Sequence, residues 1–589
     1  MTNVTVNING DDHSLAVSPN ETLQDLLRIR LGLTGTKKGC EVGVCGSCTV
    51  LLDGEPVNSC MVLAPSVNGK KVVSIEGLAE KGRLHPLQAS FIHHGAIQCG
   101  YCTPGMLMTA KALIDKDPDP SEEAIKKAFG GNLCRCTGYV KIIEAVQGWK
   151  DFQSDDKRPV LHPEEEKSPY EIIGKSKARK DAPDKAAGRA KYAGDIQLPG
   201  MLYGKLLLSP VPHAKIRSID TSAAEKLPGV HAVITEKDVS DVLYGVSPAR
   251  YDEHVLAKDK VRYVGDEIAA VAAVDEATAV RALRLIKVEF EELPAVFTVE
   301  EAVKEGAPVI HEKYPNNINV VVDHHFGDVD KGFGEADLVM EHRFTGNRTY
   351  QSPIEPHASL ARWETNGRLT LWSATQVPHY VQFQLARVMG LSMSDIRIIR
   401  PAVGGGFGGK AETTPLDFCS AYLARKTGRP VMMKYDRREM FLHGRGRHKQ
   451  YIDLKIGVKK DGAITAVEQT VHLDGGAYTS FGIVATYYAG AMIPTLYKLP
   501  HYKFKGHRVF TNLPGCGAFR GHGCPQPRFA FESLLSMIAE KLGLDDFDIR
   551  LRNAMTPDTV TANELQVNSC EFKATLEKAR EVSGWREKK

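Results

Sequence analysis

The sequence predicts a multidomain α+β protein, and three observations predict it. The chain has 589 residues, enough for about four domains at ~150 residues each. Eight of its twelve cysteines fall within the first 136 residues, so the amino end is built differently from the rest. Beyond them, strand-like apolar runs alternate with helical stretches, the mixture that layers into α+β domains. Hydrophobic residues make up 42% and charged residues 25%, which excludes general disorder because several cores can be buried against chain entropy. With 75 Lys+Arg against 72 Asp+Glu, no strong field draws nucleic acid or anionic lipid. The longest clean apolar runs, such as Ile268 to Val274, fall far short of the ~20 residues of a membrane helix, so no membrane span is expected. The amino terminus alternates like a strand and lacks a basic and apolar leader; a cytoplasmic location, where thiols stay reduced, is expected.

Residues 1–80 open with Val4, Val6 and Ile8 in alternation, the hairpin signal Asn9-Gly10, and a helical stripe of Leu23, Leu26, Leu27 and Leu31. Cys40-x4-Cys45-x2-Cys48 follows, with Cys60 after eleven more residues, the plant-type [2Fe–2S] spacing. Gly39, Gly43 and Gly46 are interleaved, because a loop that wraps a cluster must turn tightly and point N–H groups at its sulfides. This is read as a β-grasp ferredoxin domain; a zinc loop would favour two CxxC pairs.

Residues 81–150 carry Cys99-x2-Cys102 and, later, Cys134-x-Cys136 in a helical setting. Pro104 suits the first turn of a helix starting after Cys102, and Ser121-Glu-Glu-Ala-Ile reads as an N-cap followed by acids. Two helix N-termini aimed at one place would supply positive dipole ends for an anionic thiolate cluster. The spacing by itself suits iron–sulfur and zinc about equally.

Taken together, Cys40-Glu-Val-Gly-Val-Cys45-Gly-Ser-Cys48, Gln98-Cys99-Gly-Tyr-Cys102-Thr-Pro-Gly and Gly131-Asn-Leu-Cys134-Arg-Cys136-Thr-Gly-Tyr resemble the two-cluster portion of the molybdenum hydroxylases, the xanthine dehydrogenase and aldehyde oxidoreductase family. All eight ligand positions match. The resemblance implies that Cys40, Cys45, Cys48, Cys60, Cys99, Cys102, Cys134 and Cys136 hold two [2Fe–2S] clusters, the second in a helical domain, and that Gln98 contacts a molybdopterin. The cluster near Gln98 would take electrons from molybdenum first.

Residues 151–169, with Asp155-Asp-Lys-Arg-Pro and Pro163-Glu-Glu-Glu-Lys, read as a linker. The family often carries a flavin domain here, and none fits between Trp149 and Tyr170. FAD is therefore expected only on a separate subunit, and electrons leave to that subunit or to another acceptor. Residues 170–300 mix strands (Ala232-Val-Ile, Ile268 to Val274, Ile286 to Phe290) with a helix around Ala277 to Leu285, an α+β domain. Its opening, Ala187-Gly-Arg-Ala-Lys-Tyr-Ala-Gly-Asp-Ile, resembles the α/β hammerhead-like domain that precedes the molybdenum region in the family.

Residues 301–589 contain Gly404-x-Gly406-x-x-Gly409 between an apolar segment and a helix predicted over Pro415 to Lys426. A dinucleotide fingerprint is disfavoured, since Phe407 sits in the turn and Asp436 lies later than the ~20 residues expected. The resemblance instead implies an α+β molybdopterin-binding domain, first half, in which Gly406, Phe407 and Gly408 bring backbone close to the molybdenum ligands. It places Gln376, in Ser373-Ala-Thr-Gln376, on a molybdenum oxygen, and Arg520, in Gly517-Ala-Phe-Arg520-Gly-His-Gly, beside the cofactor. Purine-oxidising relatives carry a glutamate where this chain has Ala411, with Glu412 one residue later, and an arginine where it has Tyr488. The pocket aromatic of the family's Arg-Gly-x-Gly motif is replaced here by His522, and Glu355 is a further pocket candidate. Losing paired charged groups removes purine orientation, so an aldehyde or another N-heterocycle, such as a pyridine carboxylate, is the expected small-molecule substrate.

In full-length relatives the molybdenum region continues for several hundred residues and ends near the catalytic base. This chain stops at Lys589 after a charged tail, read as a natural terminus. The expectation is a split molybdenum hydroxylase: a second molybdopterin-binding subunit supplies the base, and no catalytic residue is assigned here. The reaction implied is hydroxylation next to a heteroatom with water-derived oxygen, the cofactor being molybdopterin in mononucleotide or dinucleotide form. The alternative is an electron-transfer iron–sulfur subunit that only docks a catalytic partner; clusters with no pterin would favour it. Gly444-Arg-Gly-Arg-His-Lys449 is one short basic stretch in a near-neutral chain, and no nucleic-acid partner is expected from it.

Overall fold

The structure, a computed structural model, describes residues 1–79, 82–154, 169–175, 177 and 179–588. Most of the linker predicted at 151–169 lies outside the described residues. The alternating amino-terminal segment forms strand Thr2–Ile8, which pairs antiparallel with Asp11–Val17 and parallel with Lys71–Val73. Asn9 (φ 55°) and Gly10 (φ 99°) both take the positive φ that a tight hairpin needs. The five-stranded sheet is completed by Thr49–Leu52 and Glu55–Asn58. The leucine stripe forms a helical segment, Leu23–Asp25 continuing as a wider π-type turn over Leu26–Arg30, and packs Leu23, Leu26 and Leu27 onto Val4, Val6 and Val50.

Helices Pro86–His93, Thr103–Lys116, Glu122–Ala128 and Val140–Gln147 form the next unit around a shared core. Thr103–Lys116 starts directly after Cys102 with its proline in the first turn, as predicted. The Ser121 helix is also formed and capped, but its start is exposed and its carboxyl end leads toward Cys134. The second helix N-terminus near the thiols is that of Val140–Gln147, reached through Tyr139 in the left-handed region. The expectation of two N-termini is corrected in its second member, because the chain turns between Cys136 and Val140 rather than before Ser121.

A seven-stranded sheet runs in the order Ile396–Ile399, Leu369–Ser373, Ala358–Trp363, Val431–Lys434, Leu202–Leu208, Glu267–Ala273, Val230–Ile234. Every residue of Glu267–Ala273 is buried, as a continuous apolar run covered on both faces requires. The parallel pairing of Val431–Lys434 with Leu202–Leu208 makes the sheet continuous across the boundary predicted at 300, so the two segments share one core.

A second five-stranded sheet, Ile318–Phe326, Tyr502–Val509, Ile464–Asp474, Lys449–Val458 and Leu338–Gly346, is covered on one face by helices Gly482–Ala491 and Pro525–Leu542. The helix after the Gly-rich stretch begins only at Pro415, capped by Thr414. Gly404–Gly409 therefore does not open a helix, and the context of a dinucleotide fingerprint is lacking. No helix among the described residues is long and apolar enough to cross a membrane.

Candidate functional site

The N–H groups of Val42, Val44 and Cys45 converge on Cys40 Sγ at 3.5, 3.3 and 3.3 Å, with Gly43 and Gly46 supplying positive-φ turns (76° and 67°). The Cys45 thiol and these N–H groups hold Cys40 down at about 5 against its burial. Sulfur pairs within hydrogen-bond reach are Cys40–Cys45 and Cys48–Cys60 in the first loop, and Cys99–Cys136, Cys102–Cys134 and Cys134–Cys136 in the second. Four thiols gathered in each set fit the chemistry of a two-iron rhomb, which takes two thiolates per iron. Among the described residues no three His, Cys, Asp or Glu side chains close on a single ion.

The two cysteine loops touch through hydrogen bonds to the backbone carbonyls of the first. Leu133 N donates to Cys45 O at 2.9 Å, and Asn132 Nδ2 to Gly46 O at 3.1 Å. A Cβ at Gly105 would collide with Gly46 O, so this position in the helix after Cys102 must be bare. On the other side, the buried Tyr101 ring packs on Gly404, where a Cβ would come within 2.7 Å of it, and its hydroxyl donates to Lys38 O at 2.7 Å. Tyr192 meets Tyr101 edge-on at 4.9 Å and donates to Cys99 O at 2.7 Å. The Cys99–Cys102 loop is thus held between the Cys40 loop and the Gly-rich turn. Buried Asp195 fastens the assembly, accepting from Arg28 and Lys37 at 2.7 Å each. Burial pushes its carboxyl up, but the Lys37 and Arg28 charges outweigh that and hold it below the usual range. Arg437 adds donors to Gly39 O, Pro353 O and Ile354 O.

The Gly-rich turn meets Gln376 and Ala518 with no room for a Cβ at Gly406 or Gly408. Phe407 takes φ 56° and Gly408 φ 103°; a Cβ at Gly406 would lie 2.7 Å from Gln376 Cδ, and one at Gly408 2.7 Å from Ala518 C. Gln376 Oε1 accepts from Gly408 N (3.1 Å) and Lys410 N (3.3 Å), which leaves its amide nitrogen as the donor to offer a ligand. Arg520 N donates to Phe407 O at 2.9 Å, and Gln351 Nε2 clamps Ala518 O and Arg445 O at 2.6 and 2.7 Å. Arg447 lies 4.1 Å over the Phe519 ring and donates to Arg520 O, while buried Nη1 atoms of Arg447 and Arg348 have no protein partner. The basic stretch at 444–449 is therefore turned inward, with Arg445 and His448 buried. Guanidinium groups without carboxylates beside a bare backbone fit an anionic, oxygen-rich cofactor such as a molybdopterin.

The predicted site residues divide. Gln376, Gly406, Phe407, Gly408 and Arg520 converge on this cluster of loops. Gln98 is exposed beside Cys99, its carbonyl held by Lys185 at 2.9 Å, and among the described residues it makes no hydrogen bond with the turn. His522 meets Phe481 at 5.5 Å and Tyr488 at 6.3 Å; burial and then Arg447 pull it below its usual value, so it is neutral at pH 7. Ala411 donates to Gly408 O within the turn. Glu412 is buried, accepting from Ser480 Oγ at 2.7 Å. Glu355 is placed differently from the expectation: it lies beneath the turn, bound to Lys410 Nζ and Gly404 N at 2.6 Å each. It supports the turn rather than joining Tyr488 and His522, because a buried lysine there needs a counter-charge. Lys410, Tyr101 and Arg447 were not singled out for these roles, and no local spacing marks them.

Comparisons with known proteins agree with this layout. Residues 6–72 match the 2Fe-2S iron-sulfur cluster binding domain, 74–147 the [2Fe-2S] binding domain, 187–294 the aldehyde oxidase and xanthine dehydrogenase a/b hammerhead domain, and 310–554 the molybdopterin cofactor-binding domain. The chain is 34% identical to the aldehyde oxidoreductase of Megalodesulfovibrio gigas, an alignment that covers 98% of this chain and 66% of that protein. It is 37% identical to the nicotinate dehydrogenase large molybdopterin subunit of Eubacterium barkeri, over 70% of this chain and 96% of that subunit. The solved aldehyde oxidoreductase of Desulfovibrio desulfuricans superimposes with a TM-score of 0.94 at 31% identity, over 100% of this chain and 67% of that one. The chain thus spans about two thirds of the length of the aldehyde oxidoreductases it matches.

Proposed function

Since the chain belongs to the molybdenum hydroxylase family of xanthine dehydrogenases and aldehyde oxidoreductases, we propose that it is the iron–sulfur and molybdopterin-binding subunit of a hydroxylase acting on an aldehyde or N-heterocycle. When bound, the molybdopterin group supplies the two-electron oxidation with water-derived oxygen, and the [2Fe–2S] clusters supply single-electron carriage. The chain's own residues do the holding. The eight cysteines ligate the clusters, Gln376 and Arg520 offer donors to cofactor oxygens, and Gly406 to Gly408 let the backbone approach. The neutral His522 offers a hydrogen bond to substrate. The observation that carries the reading is Tyr101, which packs the Cys99–Cys102 loop directly on Gly404 and so puts an electron carrier against the cofactor turn.

In this reading the domains run 1–80, 81–150, 170–300 and 301–589, joined by a linker at 151–169. A second molybdopterin-binding subunit supplies the catalytic base, FAD or another acceptor lies on a separate chain, the cofactor is a mononucleotide or dinucleotide form, and the complex is cytoplasmic. The relative named as a large molybdopterin subunit, matched over 96% of its length, supports division of the molybdenum part between chains. The test is metal analysis of the chain purified with and without co-expressed neighbouring gene products. The complex should hold about four irons per chain with molybdenum, and substrate should bleach the cluster absorbance. Zinc in place of iron overturns the reading; tight molybdopterin retention and turnover by this polypeptide alone overturns the split.

A further inference from the structure

On the reading just given, we propose that Arg250 is a specificity-determining residue that binds the anionic group of the substrate, which is therefore a flat aromatic or heteroaromatic carboxylate. Arg250 comes from the segment predicted as hammerhead-like, yet it reaches the group formed by the other pocket candidates. Its guanidinium lies 5.6 Å over the Phe481 ring, and Phe481 meets His522 edge-on at 5.5 Å. The loop that carries it is fixed to the helix that follows Gln376: within Pro378–Met389, Gln384 donates to Gly245 O (2.7 Å), and Arg387 donates to Leu243 O (2.6 Å) and stacks on Tyr251 at 3.8 Å. Arg250 Nε donates to Ser247 Oγ at 2.8 Å, which sets the plane of the fork.

What the fork lacks is a counter-charge. Arg445 pairs with Glu253 and Arg28 with Asp195, whereas Arg250 makes no ion pair among the described residues, and its Nη1 is buried with no protein partner. Glu412, the carboxylate that acts on it from a distance, is already bound by Ser480. Burial pulls Arg250 below its usual value, the expected cost of a desolvated cation that a ligand anion would offset. Phe481 gives a face for an aromatic ring, and His522, whose Nδ1 is also buried without a partner, gives a hydrogen bond to a ring heteroatom. Charge for substrate orientation is thus present, but it enters from Arg250 rather than from Ala411 or Tyr488. A cofactor phosphate is the other anion that could meet this fork, and the test separates the two.

The test uses the purified complex and its Arg250→Met and Arg250→Lys variants. Calorimetry follows binding of benzoate against benzamide, and turnover follows pyridine-3-carboxylate against the neutral amide. The wild type should prefer the carboxylate, and R250M should weaken benzoate binding about 100-fold, with benzamide binding, iron and molybdenum unchanged and R250K in between. Equal loss for acid and amide, no preference in the wild type, or loss of molybdopterin from R250M overturns the assignment. Benzoate preference that depends on Arg250 without any turnover would support it while refuting the hydroxylase reading.

Discussion

Lys410→Met tests the support under the Gly-rich turn. Lys410 Nζ and Glu355 Oε2 lie 2.6 Å apart with side chains 0% and 3% exposed, and Gly404 N donates to the same oxygen. Removing the lysine leaves a buried carboxylate with one N–H partner, which costs about 3–5 kcal/mol. Hydrogen exchange of the 404–410 amides should therefore accelerate by roughly 10² to 10⁴-fold, while amides of the amino-terminal sheet stay protected. Burial already pushes Glu355 above the usual carboxylate range, with Lys410 opposing; without Lys410 the rise is larger. A carboxyl raised in the folded state binds its proton more tightly there than when unfolded. Its contribution is then full below the unfolded value near ~4.3 and is lost as pH rises through the folded value. K410M should be less damaged at pH 5 than at pH 8. Pairing it with Glu355→Gln, which keeps an acceptor for Gly404 N, should return stability to within about 1 kcal/mol of wild type. A single variant with wild-type exchange and no pH slope would refute the reasoning.

Three further outcomes follow from the contacts between units. Gly105→Ala forces a Cβ into Gly46 O and should cost about 1–3 kcal/mol, read as lowered iron content and visible absorbance; full cluster loading would count against the contact. Asp195→Asn leaves Arg28 and Lys37 facing a neutral group and should cost about 3–5 kcal/mol in denaturant melts at pH 7. Because the Asp195 carboxyl is depressed, its contribution holds above the unfolded value near ~3.9 and is lost as pH falls through the folded value, so wild type and variant should converge in acid. Tyr101→Phe removes the donor to the Lys38 carbonyl and should cost about 1 kcal/mol with cluster content intact; a larger loss of iron would assign the hydroxyl a role in cluster assembly.

Local chemistry was readable without coordinates. Cysteine spacing, interleaved glycines and the Asn9-Gly10 hairpin act over a few residues, and each constrains backbone by sterics or ligation alone. Helix Pro415–Thr427 and the buried strand Glu267–Ala273 were legible for the same reason, since capping and apolar periodicity are local signals. Only the tertiary structure decided what distant segments do together. The Leu202–Leu208 strand pairs with Val431–Lys434 across more than 200 residues, Glu355 goes under the turn because Lys410 arrives there, and Arg250 meets Phe481 from another part of the chain. Pairing of this kind depends on burial and counter-charge, which are properties of the assembled core and carry no period or spacing in the chain.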